Sequence, residues 1–438
     1  MDFMASTPAS QTLRPDALPP RLVATVWLPF AAAYFMSYAL RNVNAVLAPE
    51  LTREFALSAA ELGLLTSVYY ISFSLVQLPF GILLDRYGSR RVHATLLLVA
   101  AAGSVLHATG NSFVLVATGR ALIGIGVALG LMSAVKAFAQ WFPLSRVPLA
   151  INMMMAFGNL GAMVAAGPVG WSLAYISWRT VFWISAALFV LASILLFVVM
   201  PEKRQAQESW SQLAGGFGTI FRSASFWRLS LMMSVISGTY TAIQSLWIGP
   251  WLRDAAGLDR AQVLVVITWL AVASIIGYAV VGAGCDWLIR RGARALTLYK
   301  IQAGSAMVVL SLIVFFGGST ALVLWLVYFA VGSGGPLVLA ILARRFPAGI
   351  AGRVNTATNV LIFSIAFGFQ WGVGAVLDRW PVTDGRYAVE GYQAAFIGLI
   401  LVQLAFYVLL LWKEHPTPLP EGRAAEAPGT RAFKAPGA

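Results

Sequence analysis

Charged residues are so sparse in this chain that long stretches pass without one, and that feature decides what it can fold into. Runs long enough to span a bilayer, roughly 20 mostly apolar residues, recur near 22–48, 61–84, 92–110, 113–140, 149–171, 179–199, 227–250, 262–284, 295–317, 320–343, 354–376 and 392–412. In lipid each backbone must satisfy its own hydrogen bonds, so the runs are helices. Barrel strands would alternate over about ten residues, and these runs are longer and unalternating. Charged residues make up 11% of the chain and hydrophobic ones 59%, where a soluble domain is about a quarter charged. The sequence predicts an all-α membrane protein of twelve transmembrane helices in a lipid bilayer.

The formal net charge of +13 would suggest nucleic acid in a soluble protein. Here the loops explain it. Arg86, Arg90, Arg91, Arg146, Lys203, Arg204, Arg222, Arg228, Arg290, Arg291, Arg294, Arg344, Arg345 and Arg353 fall in one set of loops. Arg53, Arg179, Arg253, Arg260, Arg379 and Arg386 fall in the other. The richer set is expected on the cytoplasmic side, with both termini there, and no nucleic-acid partner is expected. The first twenty residues lack the apolar core of a secretory signal. A lone Cys285 and scattered His93, His107 and His415 give neither a disulfide framework nor a metal set. No phosphate-binding loop or catalytic triad is placed, so an enzyme, a cofactor and a metal are not expected.

An internal repeat sets the architecture. Residues 81–91, GILLDRYGSRR, and 282–292, GAGCDWLIRRG, share a glycine four residues before an aspartate, at an offset of 201. Phe142-Pro143 matches Phe346-Pro347 at 204, and Asn152 matches Asn355 at 203. Two homologous six-helix bundles follow, at 22–200 and 227–413. They are flanked by cytoplasmic tails at 1–21 and 414–438, the latter disordered, and joined by a cytoplasmic linker at 201–226. Parallel repeats with a substrate site between them near the midplane are one of the transporter plans.

These residues resemble the major facilitator superfamily. Gly81, Leu83, Asp85, Arg86, Gly88, Arg90 and Arg91 fill the pattern of its loop between helices 2 and 3, and Ser89 departs from it. The second-half copy keeps Gly282, Asp286 and Arg290. GRALIGIG (119–126), with Arg120, is similar to the family's helix 4 motif, and GAMVAAGPVGW (161–171) to its helix 5 motif. The resemblance implies the major facilitator fold and a monomeric secondary transporter with alternating access, coupled to a proton or sodium ion. It further implies gating or conformational roles for Gly81, Asp85, Arg86, Gly88, Arg90, Asp286 and Arg290, and a structural or gating one for Arg120. Asp85 and its neighbouring arginines would form a cytoplasmic latch, or Arg86, Arg90 and Arg91 would only fix topology. RNVNAVLAPEL (41–51) is similar to helix 1 of the anion:cation symporters within that superfamily.

Arg41 lies well inside the first apolar run. An arginine near the bilayer centre costs about 2.5–3.5 kcal/mol on insertion scales, so it needs a partner or a wet cavity. Tyr34, Ser37, Tyr38, Arg41, Asn44 and Ala45 share one helical face. Arg41 is expected either to grip an anionic substrate group through its planar fork, or to snorkel or pair with Glu50 or Glu54. Lys136, near a helix end, is read as a cavity residue or a snorkelling one. Gln244 and Trp247, in an aromatic stripe with Tyr240 and Trp251, are read as cavity-lining or as packing, and Asn359 is the deeper polar choice on helix 11. No carboxylate falls mid-helix, which favours an anionic substrate. The expected substrate is a small organic anion, a carboxylate or amino acid, moved across the inner membrane of a bacterium. A proton-driven exporter of amphipathic compounds and a non-transporting sensor on the same scaffold are the alternatives.

Overall fold

The computed structural model describes residues 20–143, 146–201, 217–318, 320–332, 338, 341–342, 345–346 and 351–411. The expected C-terminal tail, most of the linker, and residues 1–19 of the N-terminal tail lie outside this set. Residues 20–21, expected as tail, already belong to the first helix.

The helices are α1 (20–55), α2 (Ala59–Tyr87), α3 (Ser89–Thr109), α4 (Phe113–Trp141), α5 (Val147–Ser172) and α6 (Trp178–Val199) in the first half. The second half has α7 (224–254), α8 (Arg260–Arg290), α9 (Ala295–Phe316), α10 (Ala321–Val331), α11 (Ala351–Leu377) and α12 (Val389–Leu411). Among the described residues, ten spans are long and apolar enough to cross a membrane. α7 and the shorter α10 occupy the remaining two predicted positions, and the architecture is the twelve-helix one the sequence predicts. α1 runs past residue 48 to Phe55, resuming after a break at Val43 with Pro49 inside the resumed helix.

The repeat is visible in caps and packing. Ser58 and Glu61 form a reciprocal capping box at the start of α2, and Asp259 and Gln262 do so for α8, at the same offset of 201. In the first half α3 packs on α4 and α6, α1 on α5, and α2 on α4. The second half repeats this: α9 on α10 and α12, α7 on α11, and α8 on α10. The halves meet through α2 with α11, α5 with α8, and α1 with α7.

Antiparallel helices carry Arg86, Arg90, Arg91, Arg290, Arg291 and Arg353 to one end of the bundle and Arg53, Arg179, Arg253 and Arg260 to the other. Glycines show that the halves touch more closely at the arginine-poor end. A Cβ on Gly249 would come 2.2 Å from the Ala45 carbonyl, one on Gly374 2.2 Å from the Ala59 carbonyl, and one on Gly63 2.7 Å from the Gln370 carbonyl. Gly81 and Gly282, repeat-related and toward the arginine-rich end, have nothing within 4 Å.

The arginine-poor end is also fastened by polar bonds. Asp378, just past α11, accepts from the Ala59 and Ala60 amides at 2.7 and 2.9 Å. It thereby caps α2 across the two halves, its charge at the positive end of the helix dipole. Glu50 of α1 pairs with Arg260 of α8 at 2.6 Å. Within the first half, Glu54 accepts from Arg179 and Trp178 at 2.8 and 2.7 Å. The Arg179 bond holds the Glu54 carboxyl below its usual pKa range.

Candidate functional site

Arg41 lies where the halves meet, midway through the bundle. Its guanidinium carbon sits 4.7 Å from the Tyr38 ring centre, 5.4 Å from Phe73 of α2 and 4.9 Å from Phe363 of α11. Three aromatic faces attract a cation electrostatically without neutralising it. Arg41 is half-buried, its Nε is buried without a hydrogen-bond partner, and no ion pair is present for it among the described residues. Glu54, one of the expected partners, is bound to Arg179, and Glu50 to Arg260. Every Asp and Glu among the described residues lies in a loop or within about two turns of a helix end. Among the described residues, no carboxylate thus compensates the charge of Arg41.

The walls explain its position. Phe363 stacks on Tyr70 at 5.7 Å and meets Phe73 edge-on at 4.6 Å. One turn toward the arginine-rich end, the Ser74 hydroxyl lies 2.8 Å from the Val360 carbonyl and 3.0 Å from Ser364 Oγ. Tyr34 donates to the Tyr38 hydroxyl at 3.2 Å, continuing the polar stripe along α1. The Ser37 and Tyr69 hydroxyls are 3.3 Å apart. Asn359, half-buried, stands one turn before Phe363 on the same face of α11. Tyr278 of α8 is 38% exposed and lies within electrostatic reach of Tyr38 and Arg41.

Other predicted residues go elsewhere. Lys136 donates to Asp85 Oδ1 and to the Leu84 carbonyl, both at 2.9 Å. Its charge is spent on holding α4 to the end of α2, so it does not serve the Arg41 cavity. The Asp85 carboxylate, expected to latch onto neighbouring arginines, takes Lys136 instead. Arg86 and Arg90 lie over the rings of Tyr87 and Phe197, and Gly88 ends α2 with φ of 83°, which glycine adopts without penalty. Asp286 and Arg290 are exposed at the end of α8, with no ion pair joining them. Asn44 turns away from the cavity and donates to Thr66 Oγ1 at 3.0 Å. Trp247 is fully buried and donates to the Gln370 carbonyl at 2.9 Å, so it packs α7 on α11. Gln244, on a π-helical turn at Ile243–Trp247, reaches the Tyr240 hydroxyl at 3.4 Å and faces Asn42 across a small gap between the halves.

Arg120 is fully buried in the first half, its guanidinium 5.2 Å from the Tyr69 ring and its Nε and one terminal nitrogen unpartnered. Tyr69 and Tyr70 stand within electrostatic reach of both Arg41 and Arg120. The midplane therefore carries two guanidiniums with no described carboxylate beside them, and its potential is positive. Sequence reasoning missed Phe73, Phe363 and Tyr278. The i, i+3 and i+4 spacing of Tyr69, Tyr70 and Phe73 was the available signal for the first. The others are set by contacts between the halves.

Residues 30–370 match the family model of the Major Facilitator Superfamily. A probable sulfoacetate transporter of Cupriavidus necator is 24% identical over 420 residues, covering 87% of this chain and 93% of the relative. A probable L-galactonate transporter of Escherichia coli is 25% identical over 405 residues, covering 82% and 86%. Among solved structures, a bacterial homolog of the human lysosomal transporter Spinster, described as inward-facing and unoccupied, superposes with a TM-score of 0.73 at 17% identity, covering 90% of this chain and 97% of the other.

Proposed function

The chain belongs to the Major Facilitator Superfamily, and on that premise we propose that it is a secondary transporter of a small organic anion, with Arg41 as the group that grips the substrate. The observation that carries this reading is the uncompensated Arg41 cation, held between the halves by Tyr38, Phe73 and Phe363. A guanidinium offers a carboxylate or sulfonate two parallel, charge-assisted hydrogen bonds. The substrate thus supplies the missing negative charge and meets both halves at once, since Phe363 and Asn359 belong to α11. The aromatic cage keeps Arg41 in place while the site is empty. Relatives named for sulfoacetate and L-galactonate support a compact, hydrophilic acid.

Positive-inside topology places the arginine-rich end in the cytoplasm. The Glu50–Arg260 pair, the Asp378 cap and the glycine contacts then close the periplasmic end. Wider spacing around Gly81 and Gly282 supports an inward-facing state. Alternating access would break these bonds as one half rocks against the other. Coupling to a proton or sodium ion would run through groups other than a mid-membrane carboxylate. Uptake of labelled L-galactonate and sulfoacetate into proteoliposomes tests the reading. Uptake by wild type and its loss in Arg41→Ala is the expected result. Uptake unchanged in Arg41→Ala refutes the anchor.

A further inference from the structure

A cavity of about 390 Å³ lies at the arginine-poor end, away from Arg41 and between the halves. The first half lines it with Thr52, Arg53 and Leu57, from the end of α1 and the turn into α2. The second half lines it with Trp380, Val382 and Tyr387, from the loop after α11. That loop is a tight hairpin: Thr383 and Arg386 pair across a turn in which Asp384 and Gly385 have φ of 52° and 69°. The Tyr387 amide donates to the buried Asp254 carboxylate at 3.2 Å, which fixes the hairpin to α7.

The charges bordering the cavity are unequal in availability. Arg253 is bound to Asp254, and Asp378 is bound to the α2 amides. Arg53 is exposed and has neither hydrogen bond nor ion pair among the described residues. Tyr387 is 8% exposed, and its hydroxyl, near Thr52, is buried without a hydrogen-bond partner. A buried hydroxyl left unpaired costs about 1–3 kcal/mol, so a ligand acceptor that displaces the neighbouring Thr52 side chain would relieve it. Apart from Thr52 and Ser58, the remaining walls are mostly apolar.

We infer that this cavity is a second, regulatory site for a carboxylate with an apolar body, its carboxylate bound by Arg53 and the Tyr387 hydroxyl and its body against Leu57, Trp380 and Val382. Burial raises the Tyr387 hydroxyl to about 12, which keeps it a donor at neutral pH. Both halves build the site, so it exists only while this end is closed. A ligand there stabilises the closed end by mass action and slows transport from that side. The regulatory effect rests on the rocking motion proposed above, whereas the binding itself does not.

Benzoate is the probe, added to purified full-length protein while melting temperature is followed. Wild type and Arg41→Met are expected to be stabilised alike. In Arg53→Ala and Tyr387→Phe the apparent Kd is expected to rise about tenfold, the worth of one hydrogen bond to a charged group. Arg53 is exposed and the phenylalanine keeps the ring, so both variants should fold. No shift in wild type overturns the site, as does an unchanged Kd in both variants. Loss of the shift in Arg41→Met assigns benzoate to the central cavity and equally overturns it. Spin labels at Glu61 and Asp384 read the gate. Benzoate should enrich the shorter distance, and an unaltered distribution overturns the regulatory claim.

Discussion

Replacing Arg41 by methionine separates a substrate anchor from a structural strut. Embedding an arginine at this depth costs about 2.5–3.5 kcal/mol. Three ring faces at 4.7–5.4 Å return about 0.5–1 kcal/mol each. The two nearly cancel, and methionine keeps much of the volume, so the ligand-free melting free energy should change by less than about 1–2 kcal/mol. Anion binding should suffer far more. Losing a charge-assisted hydrogen bond costs about 1.5–3 kcal/mol, or about tenfold to a hundredfold in affinity. The assay is thermal unfolding in detergent, with and without a panel of organic acids, alongside uptake into proteoliposomes. A strut predicts the opposite pattern. A loss of several kcal/mol in Arg41→Met with anion affinity intact would refute the reasoning.

Further outcomes follow from other contacts. Lys136→Gln should leave anion affinity within about twofold, because Lys136 is engaged with Asp85 and an exposed pair of this kind contributes about 0–1 kcal/mol; a tenfold loss in a titration would return Lys136 to the site. Asp378→Ala frees two α2 amides across the halves and should lengthen the distance between spin labels at Glu61 and Asp384, by double electron–electron resonance. Gly249→Ala puts a methyl 2.2 Å from the Ala45 carbonyl and should fold but fail to close this end, abolishing uptake while the same labels stay apart. Arg179 lowers the Glu54 pKa, so the bond's stability is present above the unfolded value of about 4.3 and is lost as pH falls through the folded value. Melting from pH 6 downward should show a small acid loss, under about 1 kcal/mol because both side chains are partly exposed, and Glu54→Gln should remove it.

The fold was legible because lipid leaves few choices. Apolar length gave the spans, and the repeat at 81–91 and 282–292 gave the two halves, which reappears as the matched capping boxes of Ser58 and Asp259. Arg41 was legible because a cation in an apolar run demands a reason. Its surroundings were not, since Phe73 and Phe363 are brought together by the contact of α2 with α11, which no single helical period encodes. For Lys136, whose place near a helix end left cavity and snorkelling readings open, the partner Asp85 was hidden because it is fifty-one residues away in sequence. Trp247 lay in an aromatic stripe readable equally as cavity or packing, and its indole donates to the α11 carbonyl of Gln370.

The most direct test of the central claim is a binding comparison on wild type, with labelled hydroxycarboxylates and aliphatic sulfonates set against hydrophobic cations, repeated in Arg41→Met. The account predicts that only the anions bind wild type, and that they lose affinity by at least about tenfold in the variant. Binding of the cations by both proteins alike, with no anion bound, would contradict it.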